Sequence, residues 1–200
     1  LDRGWTRRPH DRFVGRFDEG ISSPEVMRFG PVSLPEAPTD FLAGLTTFAG
    51  AGDPSARRGA AIHLYAANAD MVDTALCNID GDLLIAPQQG TLRVRTELGV
   101  LEAGQGEILI IPRGIRFQVL LVDGPARGFV AELFDGHLML PERGPVGANG
   151  MADERHFRAP VAAYEDAAGA WTVVVKQGGV LWEQPMDCLL YTSDAADEWI

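Results

Sequence analysis

Four histidines carry the imidazole groups that could bind a metal ion or transfer protons near neutral pH: His10, His63, His137 and His156. Their spacing along the chain matches no metal-ligand pattern. We expect His63 on a strand that faces a polar layer and His137 in a structural role, with the other two exposed in polar loops. A catalytic triad of the two C-terminal histidines with Glu132 or Asp135 stays open as an alternative, although nothing in the spacing supports it.

The other reactive groups are explained by structure rather than by catalysis. Cys77 lies in an apolar segment with no base nearby in the sequence, so we interpret it as a small core residue. Asp80 and Asp82 flank a glycine and are interpreted as turn-forming residues. The glycine-rich residues 144–150 include no lysine followed by serine or threonine, and the chain has no Gly-x-Ser-x-Gly elbow. The residues therefore predict no catalytic, cofactor-binding or metal-binding position in this chain.

Net charge and composition limit the partners. The 200 residues carry a net charge of −11, which disfavours nucleic acids and anionic membranes, because both are bound by clustered lysine and arginine. No apolar run reaches the length of a membrane span. The only two cysteines, Cys77 and Cys188, indicate a reducing compartment rather than a disulfide-stabilised domain. The length suits a single β domain with a substantial core.

Short strands separated by turns are predicted for most of the chain, and residues 80–117 show the pattern most clearly. There, glycine and proline interrupt apolar runs at short intervals, which is typical of an antiparallel sandwich or barrel. Asp80-Gly81 is a hairpin signal. Residues 41–48 fit helix or strand equally well, and residues 49–54 indicate a loop. The predicted strands are residues 60–67, 74–79, 82–86, 91–95, 100–101, 107–111, 118–122, 128–134, 137–140, 171–176 and 180–182.

Composition divides the chain into three regions. Residues 1–40 have little periodicity and are expected to form an extended arm, with one short strand near residues 27–32. Residues 41–187 are expected to form the β domain. Residues 188–200 resemble the translation of a sequencing adapter, so we interpret them as a non-native tail.

One segment of the β domain resembles a cupin motif. The spacing of glycine and proline in residues 106–117 is that of the second cupin motif, in which metal-binding members have histidine at the position of Phe117. Gly90 sets the register of the first motif, placing Leu83 at the glutamate position and residues 76–79 at the histidine pair. Leucine, phenylalanine and isoleucine cannot bind a divalent ion, and one cysteine cannot hold it alone. The resemblance implies an all-β, cupin-like jelly roll or β-sandwich with an extended N-terminal arm, few short helices and a metal-free, apolar interior.

A second resemblance covers most of the chain. Several segments, in shared order, resemble the N-terminal half of the homogentisate 1,2-dioxygenase family: residues 40–53, 61–63, 78–90, 111–117, 136–137, 140–141, 144–152 and 164–166. The resemblance implies a cytoplasmic enzyme of tyrosine and phenylalanine breakdown. Such an enzyme opens the ring of homogentisate with O2 at a non-haem Fe(II), giving maleylacetoacetate.

The resemblance also implies where the chemistry takes place. In that family two histidines and one glutamate hold the iron and a further histidine acts as acid and base, all in the C-terminal half. None of these residues can be carried over to a position of this chain, so the resemblance implies a metal-free half beside a catalytic half. Members assemble as trimers and hexamers, which implies a homo-oligomer.

Three hypotheses remain open from the sequence. The first is an inert fragment of that dioxygenase. The second is a metal-free cupin that acts as a small-molecule-binding or assembly module, and the third is another cupin enzyme, such as a sugar isomerase, that works without metal. The third would need a charged constellation pointing into the barrel, whereas we expect only apolar inward-facing residues. A downstream segment with two histidines and a glutamate in ligand spacing would separate the first hypothesis from the second.

Overall fold

The computed structural model describes residues 4–13, 15, 17, 30–142, 152–163 and 165–191, and these ranges are almost entirely β structure. The elements are β1 (Thr6–Arg8), β2 (Leu45–Asp53), β3 (Arg58–Ala67), β4 (Thr74–Asn78), β5 (Asp82–Gln89), β6 (Leu92–Thr96), β7 (Gly99–Ala103), β8 (Leu109–Ile111), β9 (Arg116–Leu121), β10 (Ala126–Leu133), a short 3-10 helix (Glu154–His156), β11 (Glu165–Gln177) and β12 (Val180–Tyr191). No helix in these ranges is long and apolar enough to cross a membrane. The predicted all-β class is confirmed.

The strands form two sheets with the core between them. One sheet has the strand order β1-β12-β11-β4-β9-β6-β7, and the other has the order β2-β3-β10-β5-β8. Neighbouring strands are antiparallel except β11 and β4, which are parallel. Side chains of β10 alternate between a buried and a more exposed face, because successive strand residues point to opposite sides. The prediction of a cupin-like jelly roll or β-sandwich is confirmed.

Aromatic rings fill the centre of the sandwich. The ring centre of Phe41 lies 5.0 Å from that of Tyr65 and 6.4 Å from that of Phe117. Leu76 and Leu83 belong to the same buried apolar cluster. Full burial of one such apolar side chain contributes about 1.5–3 kcal/mol to stability. The centre of the domain is therefore held by apolar packing, as the sequence predicts.

The turn at Asp80-Gly81 does not form the predicted hairpin. β4 lies in the seven-stranded sheet between β11 and β9, whereas β5 lies in the five-stranded sheet between β10 and β8. The turn therefore carries the chain from one sheet to the other. Turn chemistry is local, so the same residues can end a hairpin or a crossover, and the prediction failed for that reason.

Two other local predictions are wrong, and one strand has no predicted counterpart. Residues 49–53 do not form a loop, because they continue β2 and pair with β3 as far as Asp53. Residues 137–140 form no strand, and the backbone N–H of Leu138 donates instead to the side chain of Asp82. The arm contains β1, which has no predicted counterpart, because its partner β12 lies far away in the sequence.

The remaining predictions differ mainly in strand length. The last hairpin is present, but β11 and β12 are both longer than predicted. Residues 41–44 form a turn that leads into β2. Residues 30–32 do not form the end of the strand expected at 27–32, and residues 27–29 lie outside the described residues, as do 144–150 and 192–200.

Replacing Gly81 by alanine is expected to lower the free energy of unfolding by about 1–3 kcal/mol. A Cβ at this crossover would lie 2.4 Å from the carbonyl oxygen of Leu133, which is backbone and cannot rotate away. The matched control is Gly104→Ala, whose Cβ would approach only side-chain atoms, at 3.3 Å or more. Urea unfolding followed by circular dichroism measures both variants, and equal stability would contradict the close approach at Gly81.

Candidate functional site

The positions that the motif spacing aligns with cupin metal ligands are apolar and buried in this chain. Phe117 and Leu83 lie in the central cluster, and Leu76 pairs directly with Phe117 across β4 and β9. Burial raises the pKa of the Cys77 thiol to about 11, so this group stays protonated. These side chains do not fit Fe(II), which prefers imidazole and carboxylate ligands. Among the described residues, no group of three or more His, Cys, Asp or Glu side chains could hold a metal ion.

Charged and polar side chains nevertheless lie buried between the two sheets. We term this group of five residues the buried polar cluster: His63, Asn78, Asp80, Glu132 and Lys176. Each is at most 4% exposed. They come from β3, β4, the turn after β4, β10 and β11, so both sheets contribute. The expectation of only apolar inward-facing residues is therefore wrong, and the charges are tolerated because they are paired with one another.

Lys176 lies at the centre of the buried polar cluster and is the only lysine in the sequence. Its ammonium Nζ donates to Glu132 Oε1 at 2.6 Å, to Glu132 Oε2 at 2.8 Å and to Asp80 Oδ2 at 3.1 Å. Asp80 also accepts the backbone N–H groups of Gly178 and Gly179, at 2.6 and 2.8 Å. The ammonium therefore lies between two carboxylates, in the place that a bound cation would need.

Glu132 is the most heavily hydrogen-bonded member. Asn78 Nδ2 donates to its Oε1 at 2.7 Å, and His63 Nε2 lies 3.0 Å from its Oε2. The other ring nitrogen of His63 lies 2.9 Å from the hydroxyl of Thr47. Burial alone would raise the pKa of Glu132, but the hydrogen bond from His63 and the charge of Lys176 outweigh burial and lower this pKa. Glu132 is therefore an anion that only accepts hydrogen bonds, so Nε2 of His63 is the donor.

The N-terminal arm closes over the buried polar cluster. The ring of Phe13 lies 5.3 Å from Lys176 Nζ, the ring of Phe134 lies 5.5 Å from it, and Phe13 contacts His63 edge-on at 4.9 Å. A Cβ at Gly15 would lie 2.9 Å from the same ammonium, so the arm passes directly against it. These groups are therefore shielded from solvent. The arrangement ties strands of both sheets to the arm.

A second polar group surrounds Asp82 near the start of β5. Its carboxylate accepts the backbone N–H groups of Arg113 at 2.9 Å and Leu138 at 2.8 Å, and lies 3.1 Å from Nδ1 of His137. Burial alone would raise the pKa of Asp82, but the two backbone N–H groups and His137 lower it. Asp80 and Asp82 are therefore not simple turn formers, because both carboxylates hold distant segments together.

The histidines differ in how well the sequence placed them. His63 does face a polar layer, and His156 is exposed, as expected. His10 is not an exposed loop residue: it is half-buried, accepts the N–H of Phe13 at 2.8 Å and lies 3.2 Å from the carbonyl of Leu42. Burial lowers the pKa of His10. His137 has a structural contact to Asp82, although its side chain is 62% exposed.

The suggested triad is not assembled. His137 contacts Asp82 rather than Asp135, and Glu132 is bound to His63 and Lys176 on the inner face. Sequence reasoning missed Lys176 altogether. A signal was available, because a lone lysine that follows three valines at the end of an apolar strand needs a buried anionic partner.

Replacing Lys176 by methionine is expected to destabilise the domain by about 3–5 kcal/mol, because two buried carboxylates lose their cation. The control is Arg93→Met, which removes a cation from an exposed ion pair with Glu102 and should cost less than about 1 kcal/mol. Urea unfolding measures both. A Lys176→Met variant as stable as the original chain would show that the carboxylates are not held by this ammonium.

Acid is expected to weaken the domain partly through Asp82. The pKa of Asp82 in the folded state is lower than the ordinary 3.8. The ionised carboxylate therefore contributes fully to the free energy of unfolding above that pH, and this contribution is lost as the pH falls below it. In Asp82→Asn, the free energy of unfolding should therefore fall less between about pH 5 and about pH 3 than in the original chain. Glu36→Gln removes an exposed carboxylate and serves as the control. Identical pH dependence in all three proteins would contradict this role of Asp82.

Comparison with known proteins gives partial structural likenesses to cupins. A cupin-2 domain containing protein from Shewanella frigidimarina has 18% identity over 37% of this chain and 70% of that chain, with a TM-score of 0.33. A cupin superfamily protein from Desulfitobacterium hafniense has 14% identity over 46% and 76%, with a TM-score of 0.37. An RmlC-like cupin with a double-stranded β-helix fold from Methanocaldococcus jannaschii has 10% identity over 57% and 93%, with a TM-score of 0.42.

A family model covers nearly the whole chain. The model described as homogentisate 1,2-dioxygenase N-terminal matches residues 5–192. The match includes β1 at one end and all of β12 at the other. The chain therefore belongs to the homogentisate 1,2-dioxygenase N-terminal family.

Proposed function

We propose that this chain is the non-catalytic N-terminal half of a homogentisate 1,2-dioxygenase. The parent enzyme uses Fe(II) and O2 to open the ring of homogentisate, giving maleylacetoacetate in tyrosine and phenylalanine catabolism. Membership of the family supports the reaction class. The role of this half is to provide a rigid β-sandwich against which the catalytic half packs.

One observation carries the non-catalytic role. Phe117, Leu83 and Leu76, at the positions where metal-binding cupins hold their ion, offer no lone pair to a metal. The nearby carboxylates Asp80 and Glu132 are already bound to the ammonium of Lys176. We place the iron, its two histidines and glutamate, and the acid–base histidine outside this chain.

The partners of the parent enzyme follow from the same proposal. Homogentisate and O2 are its substrates, and further copies of the same chain are its protein partners, in a trimer or hexamer. The cytoplasm is its compartment. The net charge of −11 disfavours nucleic acids and anionic membrane surfaces as partners.

Iron binding and oxygen uptake test this proposal directly. The 200-residue chain, incubated with Fe(II) and desalted, is expected to retain no stoichiometric iron and to consume no O2 with homogentisate. The matched protein is residues 1–187 joined to the C-terminal half of the parent reading frame, which should regain both properties and yield maleylacetoacetate. Stoichiometric iron on the 200-residue chain would overturn the placement of the site. A downstream frame without two histidines and a glutamate in ligand spacing would overturn the dioxygenase assignment.

A further inference from the structure

A groove lies on the outer face of the five-stranded sheet, on the side away from the core. Its volume is about 420 Å³, which is within the range of small-molecule sites. The residues that line it lie on four neighbouring strands, β2, β3, β10 and β5, and on the segment 30–32 that crosses over them: Gly30, Pro31, Val32, Phe48, Ile62, Leu64, Tyr65, Gln88, Arg127, Gly128 and Phe129.

The floor of the groove is apolar and partly open to solvent. Phe129 of β10 pairs directly with Leu64 of β3, and Ile62 follows two residues away on the same face. Phe129 is 49% exposed and Ile62 is 50% exposed. Both side chains therefore present apolar surface to the groove.

Two β-bulges frame this floor. The β2–β3 register passes from Thr47 to Ala49, which leaves Phe48 as the extra residue. The β10–β5 register passes from Arg127 opposite Gln89 to Gly128 opposite Pro87, which leaves Gln88 as the extra residue. Bulges redirect side chains and are frequent beside functional sites. Both extra residues line the groove, so the irregularities of this sheet coincide with it.

Arg127 supplies the charge of the groove. Its Nη1 donates to the carbonyl of Val32 at 3.1 Å, which attaches the crossing segment to the sheet. Its Nε is buried and has no hydrogen-bond partner in the part of the chain that the structure describes. The described residues that line the groove include no aspartate or glutamate. A buried donor without an acceptor is costly, and the Nε–Nη2 edge of a guanidinium matches the two oxygens of a carboxylate.

We propose that this groove binds a small amphipathic carboxylate. The carboxylate pairs with the guanidinium of Arg127, which lines the groove, and the apolar body of the ligand packs on Leu64 and Phe129. The site lies on the opposite face of the sheet from the buried polar cluster and is independent of the ring-cleaving reaction.

Phenylbutyrate and the neutral phenylbutanol test the proposal as a matched pair of probes, by calorimetry on the 200-residue chain. Phenylbutyrate is expected to bind with a Kd at or below about 1 mM, and phenylbutanol more weakly. Arg127→Met should weaken phenylbutyrate about tenfold or more, because a charge-assisted pair is lost, and should leave phenylbutanol unchanged. Arg7→Met, on exposed β1 of the other sheet, is the control and should change neither.

A second variant covers the case in which Arg127→Met fails to fold. Gln88 is exposed, so Gln88→Glu should fold normally while placing a negative charge in the groove that weakens phenylbutyrate selectively. Equal binding of the two probes, or no saturable binding of phenylbutyrate up to about 10 mM, would overturn the proposal. A dimer that Phe129→Asp dissociates, seen without phenylbutyrate binding, would assign the groove to a second copy and also overturn it.

Discussion

The rest of the structure depends on the burial of one ammonium group. Removing a lysine from water costs several kcal/mol, and this cost is offset only if anionic acceptors surround it with good geometry. Lys176 meets that condition through three oxygens of Glu132 and Asp80, at 2.6 to 3.1 Å. These acceptors belong to β10 in one sheet and to the crossover turn between the sheets. A single charge therefore fixes the relative position of both sheets at this end of the sandwich.

The same charge explains why the arm belongs to the domain. Phe13 is fully buried and places its ring beside Lys176 and against His63, while β1 adds a strand to the edge next to β12. His63 in turn holds Thr47 on the edge strand β2. Lys176 is therefore connected to the arm through Phe13 and to the edge strand of the other sheet through His63. Phe13 and Gly15 of the arm thus pack directly against the ammonium of Lys176.

The sequence predicts the strands well and their partners poorly, for a physical reason. Turn signals from glycine and proline, and the alternation of apolar and polar residues, depend only on nearby residues. Most strands from β3 to β10 therefore lie close to their predicted positions. Pairing is not local: the Asp80-Gly81 turn has the chemistry of a hairpin but connects two sheets. The buried polar cluster is less accessible still, since Lys176 and Asp80 are 96 residues apart. Each residue of the buried polar cluster can be explained from its neighbours in the sequence. Only the three-dimensional structure shows that these residues contact one another.

The distribution of compensated charge separates the two faces of the five-stranded sheet. On the inner face, the two carboxylates of Asp80 and Glu132 carry one more formal charge than the ammonium of Lys176. The N–H groups of Gly178, Gly179 and Asn78 stabilise this excess negative charge. Both carboxylate oxygens of Asp80 and of Glu132 already accept hydrogen bonds. On the outer face, Arg127 has a buried Nε without an acceptor, and the described residues that line the groove include no acidic side chain. On the inner face, the carboxylates and the ammonium of Lys176 are therefore paired with one another. On the outer face, the guanidinium of Arg127 has no anionic partner among the described residues.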